Sequence, residues 1–502
     1  MLDPIALQVA TGALRAACEE MGAVLIRSAH SANIKERRDC STALFDARGE
    51  MVMQAEHIPV HLGAMPASVA AVLDFDHSDG ASWVLNDPYA GGTHLPDITV
   101  VTPVLDGSSE LLGFSASRAH HADVGGRVPG SMPFDSRTLD EEGVVIAPRV
   151  LDAAAIDELS ARMRQPEERR ADLRAQLAAN ALGARRVREL AKRLGVDGLR
   201  DAFASVLDYA ERRTRACLAE LPDGTRHAVD VLEGVDGDLE LRVAATVDGD
   251  RLVLDFRGSA AQDPGNLNCP VAVTRSACLF AVRVLTDADI PPSAGAHRPV
   301  EVITDPGSLL DARAPAAVAA GNVETSSRVA DLVLAAFGRA CGQGTMNNLT
   351  LGDDAFSYYE TLGGGQGACP DADGPSAVHV AMSNTLNTPV EALELEFPLR
   401  VVRYAVRRGS GGDGAFRGGD GVVREVQALT DMSFSLITER RRHAPPGAAG
   451  GEDGARGRNL LDDEELPAKA GGTLRAGQRL RLETPGGGGH GAPGGSGSGP
   501  AS

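Results

Sequence analysis

Residues 82–105 read SWVLNDPYAGGTHLPDITVVTPVL. The two ends, SWVLN and ITVVTPVL, are short runs rich in apolar and β-branched residues, the pattern of strands. Between them stand Pro88, Gly91, Gly92, His94 and Asp97. Such a corner either connects two strands or also presents chemistry. Working outward, LLGFSASRAHHADVGG (111–126) reads as a third strand that ends in a second polar, glycine-bearing turn. Upstream, TALFDARGEMVMQ (42–54) reads as a hairpin turning at Asp-Ala-Arg-Gly. Apolar residues at helical spacing predict a helix over 5–29 and a second over 62–76. Residues 1–149 are therefore expected to form an α/β region.

Beyond it the texture changes. Residues 150–222 are rich in Ala, Arg, Leu and Glu and nearly free of Gly and Pro, which predicts successive amphipathic helices. Residues 223–400 read as a central α/β region, with strand alternation over 226–257 and helices at ACLFAVRVLT and VADLVLAAFGRA. Residues 401–485 read as β-rich, the strand texture beginning near LELEFPLRVVRYAVRR at 393. The stretch 486–502, with the TPGGGGHG string (484–491) at its head, reads as a Gly/Ser-rich flexible or ligand-adapted tail.

The chain has 502 residues, more than one hydrophobic core usually takes. Its 43% hydrophobic residues are those of a globular protein, and a formal charge of -20 argues against nucleic acid as a partner. Cys18, Cys40, Cys217, Cys269, Cys278, Cys341 and Cys369 form no CxxC pair, which suits a reducing compartment. No signal peptide and no apolar run of membrane-spanning length is evident, so no membrane partner and a cytoplasmic location are expected.

Imidazole and carboxylate gathered at one point suit Zn²⁺, Mn²⁺ or Fe²⁺. His94 and Asp97 are three residues apart in the corner, His120, His121 and Asp123 follow the third strand, and Asp39 lies in KERRDCS. On an extended strand neighbours alternate faces, so one of His120 and His121 ligates while the other serves substrate or structure. Asp123 is a candidate to orient a ligating imidazole. GNVETSSRV (321–329) carries Glu324 and Arg328 where a helix begins, either as an anion site or as plain capping. SNTLNTPVEALELE (383–396) adds Asn384 and Glu391. No P-loop, no GxGxxG between a strand and a helix, and no GxSxG occurs, which leaves a P-loop or Rossmann nucleotide site without support and counts against a serine hydrolase.

Taken together, IKERRDCSTALFDARG, HIPVHLGAM, NDPYAGGTHLPDITVVTPV, AHHADVGG, AAGNVETSSRVAD, GTMNNLTLG, YYETLGGGQGA, NTLNTPVEALE, GGDGAFRGGDG and TPGGGGHG resemble the hydantoinase B / 5-oxoprolinase family from about residue 3 to 492. The resemblance implies an α+β, multi-domain, mixed-sheet fold of the hydantoinase B type. It implies a B-type component of an ATP-dependent cyclic amide hydrolase, in a cytoplasmic hetero-oligomer with an A-type ATPase subunit that uses ATP to phosphorylate a cyclic amide or imide. It also implies a divalent metal held by His94, Asp97 and His120, with His121 the alternative to His120 and Asp39 a further acidic ligand. Asp39, His121, Asp123 and Glu324 are then the catalytic candidates, and Asn384, Glu391 and Arg328 the substrate-side ones. Two rival readings are a carboxylase of ketones with the same ligands and a non-catalytic scaffold for the ATPase. Where the family has Phe after the aspartate, this chain has Cys40, a weaker candidate thiol ligand. Where the family continues GGGGYGDP, it reads GGGGHGAPGGSGSGPAS.

Overall fold

The computed structural model describes residues 2–56, 58–77 and 80–494. Its first sheet has six strands: β1 (Cys40–Asp46), β2 (Met51–Glu56), β3 (Trp83–Leu85), β4 (Asp97–Leu105), β5 (Leu111–His120) and β6 (Arg149–Val150), in the order β2-β1-β5-β4-β3-β6. All pairs are antiparallel. β1 and β4 begin at the edge where β5 ends: Asp97 pairs with His120, Ile98 with Ala119, and Cys40 with Ala119 from the other side. Three polar strand ends thus meet along one rim of a sheet whose strands are almost wholly buried.

That burial has two causes. The helix Pro166–Leu194 lies on β4 and β5, and the helix Pro4–Ser28 packs on it and on β1 and β2. The first turn of the N-terminal helix is capped by Asp3, whose carboxylate accepts from the Ile5 and Ala6 N–H groups. Ala153–Ala161 and Val196–Leu218 complete the expected helical segment, which covers the first sheet instead of standing apart from it. The opposite face carries Ala64–Ala70, shorter than the helix expected over 62–76, and then Val271–Leu285.

β7 (Gly224–Glu233), β8 (Asp238–Asp248), β9 (Arg251–Asp255) and β10 (Val300–Ile303) form a second sheet, its last pair parallel. Its apolar face joins the helices Val271–Leu285 and Ser326–Ala336 in the largest core. Two further antiparallel sheets follow, one of four strands around Asn348–Gly352 and Met432–Ile437, one of five around Gly421–Ala428. The expected strand texture over LELE is instead the helix Val390–Glu396, which starts after Pro389 and stops before Pro398. Proline fixes both limits, since it opens helices and disfavours helical geometry in the residue before it.

The TPGGGGHG string also departs from expectation. Thr484 through Gly489 is buried, an extended run threaded between other backbone segments. A Cβ on Gly487 would stand 2.0 Å from the Gln366 carbonyl oxygen, and one on Gly486 1.9 Å from that of Ser410. Glycine serves here for close backbone approach, not for flexibility. The last part of the expected tail, 495–502, lies outside the described residues. None of the seven cysteines forms a disulfide, and no helix among the described residues is long and apolar enough to cross a membrane.

Candidate metal centre

The corner between β3 and β4 is held from several sides. Asn86 Nδ2 donates to the carbonyls of Leu95 and Val144, and Asn86 Oδ1 accepts from the Ile146 N–H. Asp87 accepts from the Tyr89 N–H. Gly91 has φ 93°, and a Cβ there would lie 2.4 Å from the Ala67 carbonyl. The buried Arg118 guanidinium donates to Ser68 Oγ and to the Gly91 carbonyl, locking the corner onto the Ala64–Ala70 helix. The turn is therefore rigid, and it delivers His94 and Asp97 to the rim where β5 ends.

There three donor atoms converge. Asp97 Oδ1 is 3.1 Å from His94 Nε2 and 3.2 Å from His120 Nδ1, and those two nitrogens are 3.2 Å apart. All three residues are buried. Two donors bound at ordinary distances to one tetrahedral ion stand about 3.3 Å apart, so the triangle fits a single first-row dication. His120 Nε2 and His94 Nδ1 are buried as well, with no hydrogen-bond partner among the described residues. Thr93 Oγ1 donates to Asp97 Oδ2 at 2.6 Å, and His61 Nε2 lies 3.5 Å from the same oxygen. Burial alone would raise the Asp97 carboxyl. The surrounding His94, His120 and His61 outweigh it and hold the group well below the usual carboxylate range. Burial in turn pushes the His120 imidazole down to about 4, which keeps it neutral, as a ligand must be.

Asp39 is on the wall of the same small cavity, with Ile58, Val60, Met346 and Met382 as its apolar part. The cavity holds about 20 Å³, room for one water-sized sphere. Burial raises the Asp39 carboxyl to about 7 against the pull of Arg37, whose Nη2 is 4.0 Å away. Arg37 stacks on Tyr359, and the Tyr359 ring lies flat on His120 with centroids 4.7 Å apart. Tyr359 donates through its hydroxyl to Asn348 Oδ1, and Asn348 Nδ2 donates to Glu324 Oε1. Glu324 thus reaches the centre only through two intermediaries. Burial raises its carboxyl to about 8.

The other candidates are elsewhere. His121 faces away from the cluster, its Nε2 3.0 Å from Gln176 Oε1 on the long helix, because adjacent residues leave an extended strand on opposite sides. Asp123 does not orient a ligating imidazole. It accepts from the Gly125 and Gly130 N–H groups and pairs with Arg164 at 3.0 Å, tying down the turn after β5. Arg328 is spent on buried ion pairs with Asp230 and Glu439, so it is not a substrate-side group. The helix expected to start at GNVETSSRV is already under way there, as a π-turn over Gly321–Thr325, so it offers no open N-terminus. Glu391 is exposed on the Val390–Glu396 helix, and Asn384 is exposed on a neighbouring cavity. Cys40 points into the apolar cluster with Cys18 and Leu44, not toward the three donors. His61, Tyr359 and Arg37 stand in HIPVHLGAM, YYETLGGGQGA and IKERRDCS. Nothing local distinguishes them there; only their long-range packing does.

The Hydantoinase B/oxoprolinase family model matches residues 3–493. The chain is 39% identical to 5-oxoprolinase 1 of Arabidopsis thaliana over 98% of its own length and 42% of that protein's. It therefore spans about two fifths of the length of this longer relative. It is 31% identical to a Pseudomonas protein named as the B component of a D-/L-hydantoinase, covering 98% of this chain and 90% of that one. Among solved structures, the ATP-dependent caprolactamase from Pseudomonas jessenii superposes with a TM-score of 0.91 at 28% identity, over 98% of this chain and 92% of that one. Matched from end to end in sequence and in fold, the chain belongs to the Hydantoinase B/oxoprolinase family.

Proposed function

We propose that this chain is the metal-bearing B-type component of an ATP-dependent cyclic amide hydrolase, acting on a ring amide or imide that an A-type ATPase subunit has phosphorylated. The observation that carries the reading is the triangle of His94 Nε2, Asp97 Oδ1 and His120 Nδ1 in a buried, apolar-walled cavity. Relatives named as a 5-oxoprolinase and as a hydantoinase component, and a caprolactamase of the same fold, support the reaction class. His94, Asp97 and His120 would hold a zinc, manganese or iron ion. When bound, such an ion supplies Lewis acidity and ionises water near neutral pH.

The protein groups around it have separable tasks. Asp39 borders the cavity with a carboxyl raised to about 7, suited to taking the proton of an attacking water and passing it to the ring nitrogen as the C–N bond opens; the phosphoryl oxygen stays on the former amide carbon, and a second water splits that acyl phosphate into carboxylate and inorganic phosphate. Thr93 and His61 fix the Asp97 carboxylate, and Tyr359 fixes the His120 ring. Ile58, Val60, Met346 and Met382 keep bulk water out, which strengthens every charge interaction inside. Metal analysis of the purified wild type and of H94A tests the centre. About one ion per wild-type chain and little in H94A is expected; equal content in both proteins sinks the assignment.

A further inference from the structure

The π-turn over Gly321–Thr325 borders the metal cavity, and its consecutive residues Asn322 and Val323 both line the wall. Turns of this kind are rare and gather at functional sites, because the wider turn re-aims side chains away from their helical directions. This one is pinned. The Gly321 N–H donates to the Asn266 carbonyl, and Thr325 Oγ1 donates to the Leu267 carbonyl at 2.6 Å. A Cβ on Gly321 would stand 1.8 Å from the Asn268 carbonyl oxygen. The Asn322 side chain is therefore carried to one fixed place on the cavity wall.

The other neutral polar side chains of that wall are spent. Thr361 and Thr385 bond to each other and accept from Arg37, Tyr359 donates to Asn348, and Ser383 bonds to His379. Asn322 makes no side-chain hydrogen bond among the described residues. Its Oδ1 is sealed in without a partner, so the small exposure that the residue keeps, 3%, belongs to the Nδ2 end, on the cavity. Asp39, on the same wall, accepts no hydrogen bond at its carboxylate among the described residues and has Arg37 4.0 Å away. An uncommitted donor and an uncommitted acceptor thus border a space that holds one water-sized sphere. A buried amide costs stability unless something in the site takes its hydrogen bond. Water pairs with both groups at once, accepting from Nδ2 and donating to the carboxylate.

We propose that Asn322 is a catalytic residue that seats the attacking water, its Nδ2 donating to the water oxygen while the water donates to Asp39. The inference rests on the hydrolytic reading above and adds the residue that aims the nucleophile. Two fixed hydrogen bonds set the orientation of the water, and orientation is a large part of what a site contributes to rate. The water oxygen forms the new bond to the ring carbon as the C–N bond breaks. Both water protons end on the ring nitrogen, the first by way of Asp39, and the oxygen stays on the former amide carbon. The Asn322 N–H accompanies that one oxygen from water to acyl group.

Fluoride tests the seat, because it has about the size of a water oxygen and only accepts hydrogen bonds. The full chain, wild type and N322A, is loaded with zinc and, separately, with manganese; metal content is measured, and each sample is titrated with fluoride by calorimetry. Equal metal content is expected in the two proteins, since Asn322 stands outside the donor triangle. The wild type is expected to bind fluoride about tenfold or more tightly than N322A, the loss of one hydrogen bond to an anion. A merely structural Asn322 would instead lower the melting temperature of N322A and leave its fluoride affinity at the wild-type value. That result overturns the proposal, as does a metal-loaded wild type that binds no fluoride. A crystal structure of the metal-free wild type separates this inference from the metal reading. If neither metal binds, an ordered water within about 3.2 Å of both Asn322 Nδ2 and an Asp39 oxygen leaves the seat standing while the metal centre falls. No water at that position would then remove both.

Discussion

His94 Nε2, His120 Nδ1 and Asp97 Oδ1 crowd within 3.2 Å of one another. A proton can bridge one pair of them, but not all three at once. An ion that accepts from all three removes the conflict, so each ligand is separately necessary. H120N is expected to bind metal at least about tenfold more weakly. H121N should keep wild-type metal content and lose only the Gln176 bond, costing about 1 kcal/mol of stability. Metal analysis and urea unfolding of the two variants check this, and metal loss in H121N would reverse the assignment. In the sequence, alternation along AHHAD told that one histidine of the pair faces the cluster. It could not tell which, because that depends on the register that sets Asp97 opposite His120, a pairing across 23 residues. His61 and Tyr359 were harder still, since each reaches the site from its own distant segment.

At the scale of elements, two glycine-rich stretches served opposite expectations. NDPYAGG was legible as a shaped corner, because its strands lie immediately on either side. TPGGGGHG was not, because what it packs against comes from residues 366, 410, 413 and 446, far from it in sequence. Composition alone describes such a run as a tail, whereas the fold uses the missing side chains to bring backbones together. G487A places a methyl 2.0 Å from the Gln366 carbonyl oxygen and is expected to cost at least about 1–3 kcal/mol. G107A, where nothing lies within 4 Å of the added Cβ, should change stability by less than about 0.5 kcal/mol. Thermal unfolding of the pair measures the contrast. Equal melting temperatures would mean that the run yields to accommodate a side chain. The amphipathic helices over 150–222 were legible for the converse reason: their apolar period is local, and it records a face buried on the sheet.

The whole molecule is held together partly by charges that no local pattern reveals. Arg328 pairs with Asp230 of β7 and with Glu439 beyond the Met432–Ile437 strand, and Lys469 reaches Glu439 from another strand. Glu324 sits near this network and forms no direct ion pair among the described residues; Lys469 and Arg441 act on it only as lesser charges. Its carboxyl is raised to about 8 by burial first and by the Glu439 charge second. The consequence for stability has a definite sign. An unfolded Glu ionises near pH 4.5, whereas folded Glu324 stays protonated until about pH 8. Between those values the unfolded chain holds fewer protons, so raising the pH favours unfolding, and above about pH 8 the penalty is complete. It amounts to a few kcal/mol in order of magnitude. Glutamine keeps the oxygen that accepts from the Met346 N–H and Asn348 Nδ2, and cannot ionise. E324Q is therefore expected to lose less stability than the wild type between pH 5 and pH 8, and to be the more stable protein at pH 8. Urea midpoints at the two pH values decide it. Asp97, whose depressed carboxyl stabilises the fold above its unfolded value and releases that stability only in stronger acid, contributes no slope in this window. An identical fall in both proteins would show that Glu324 is already ionised in the fold.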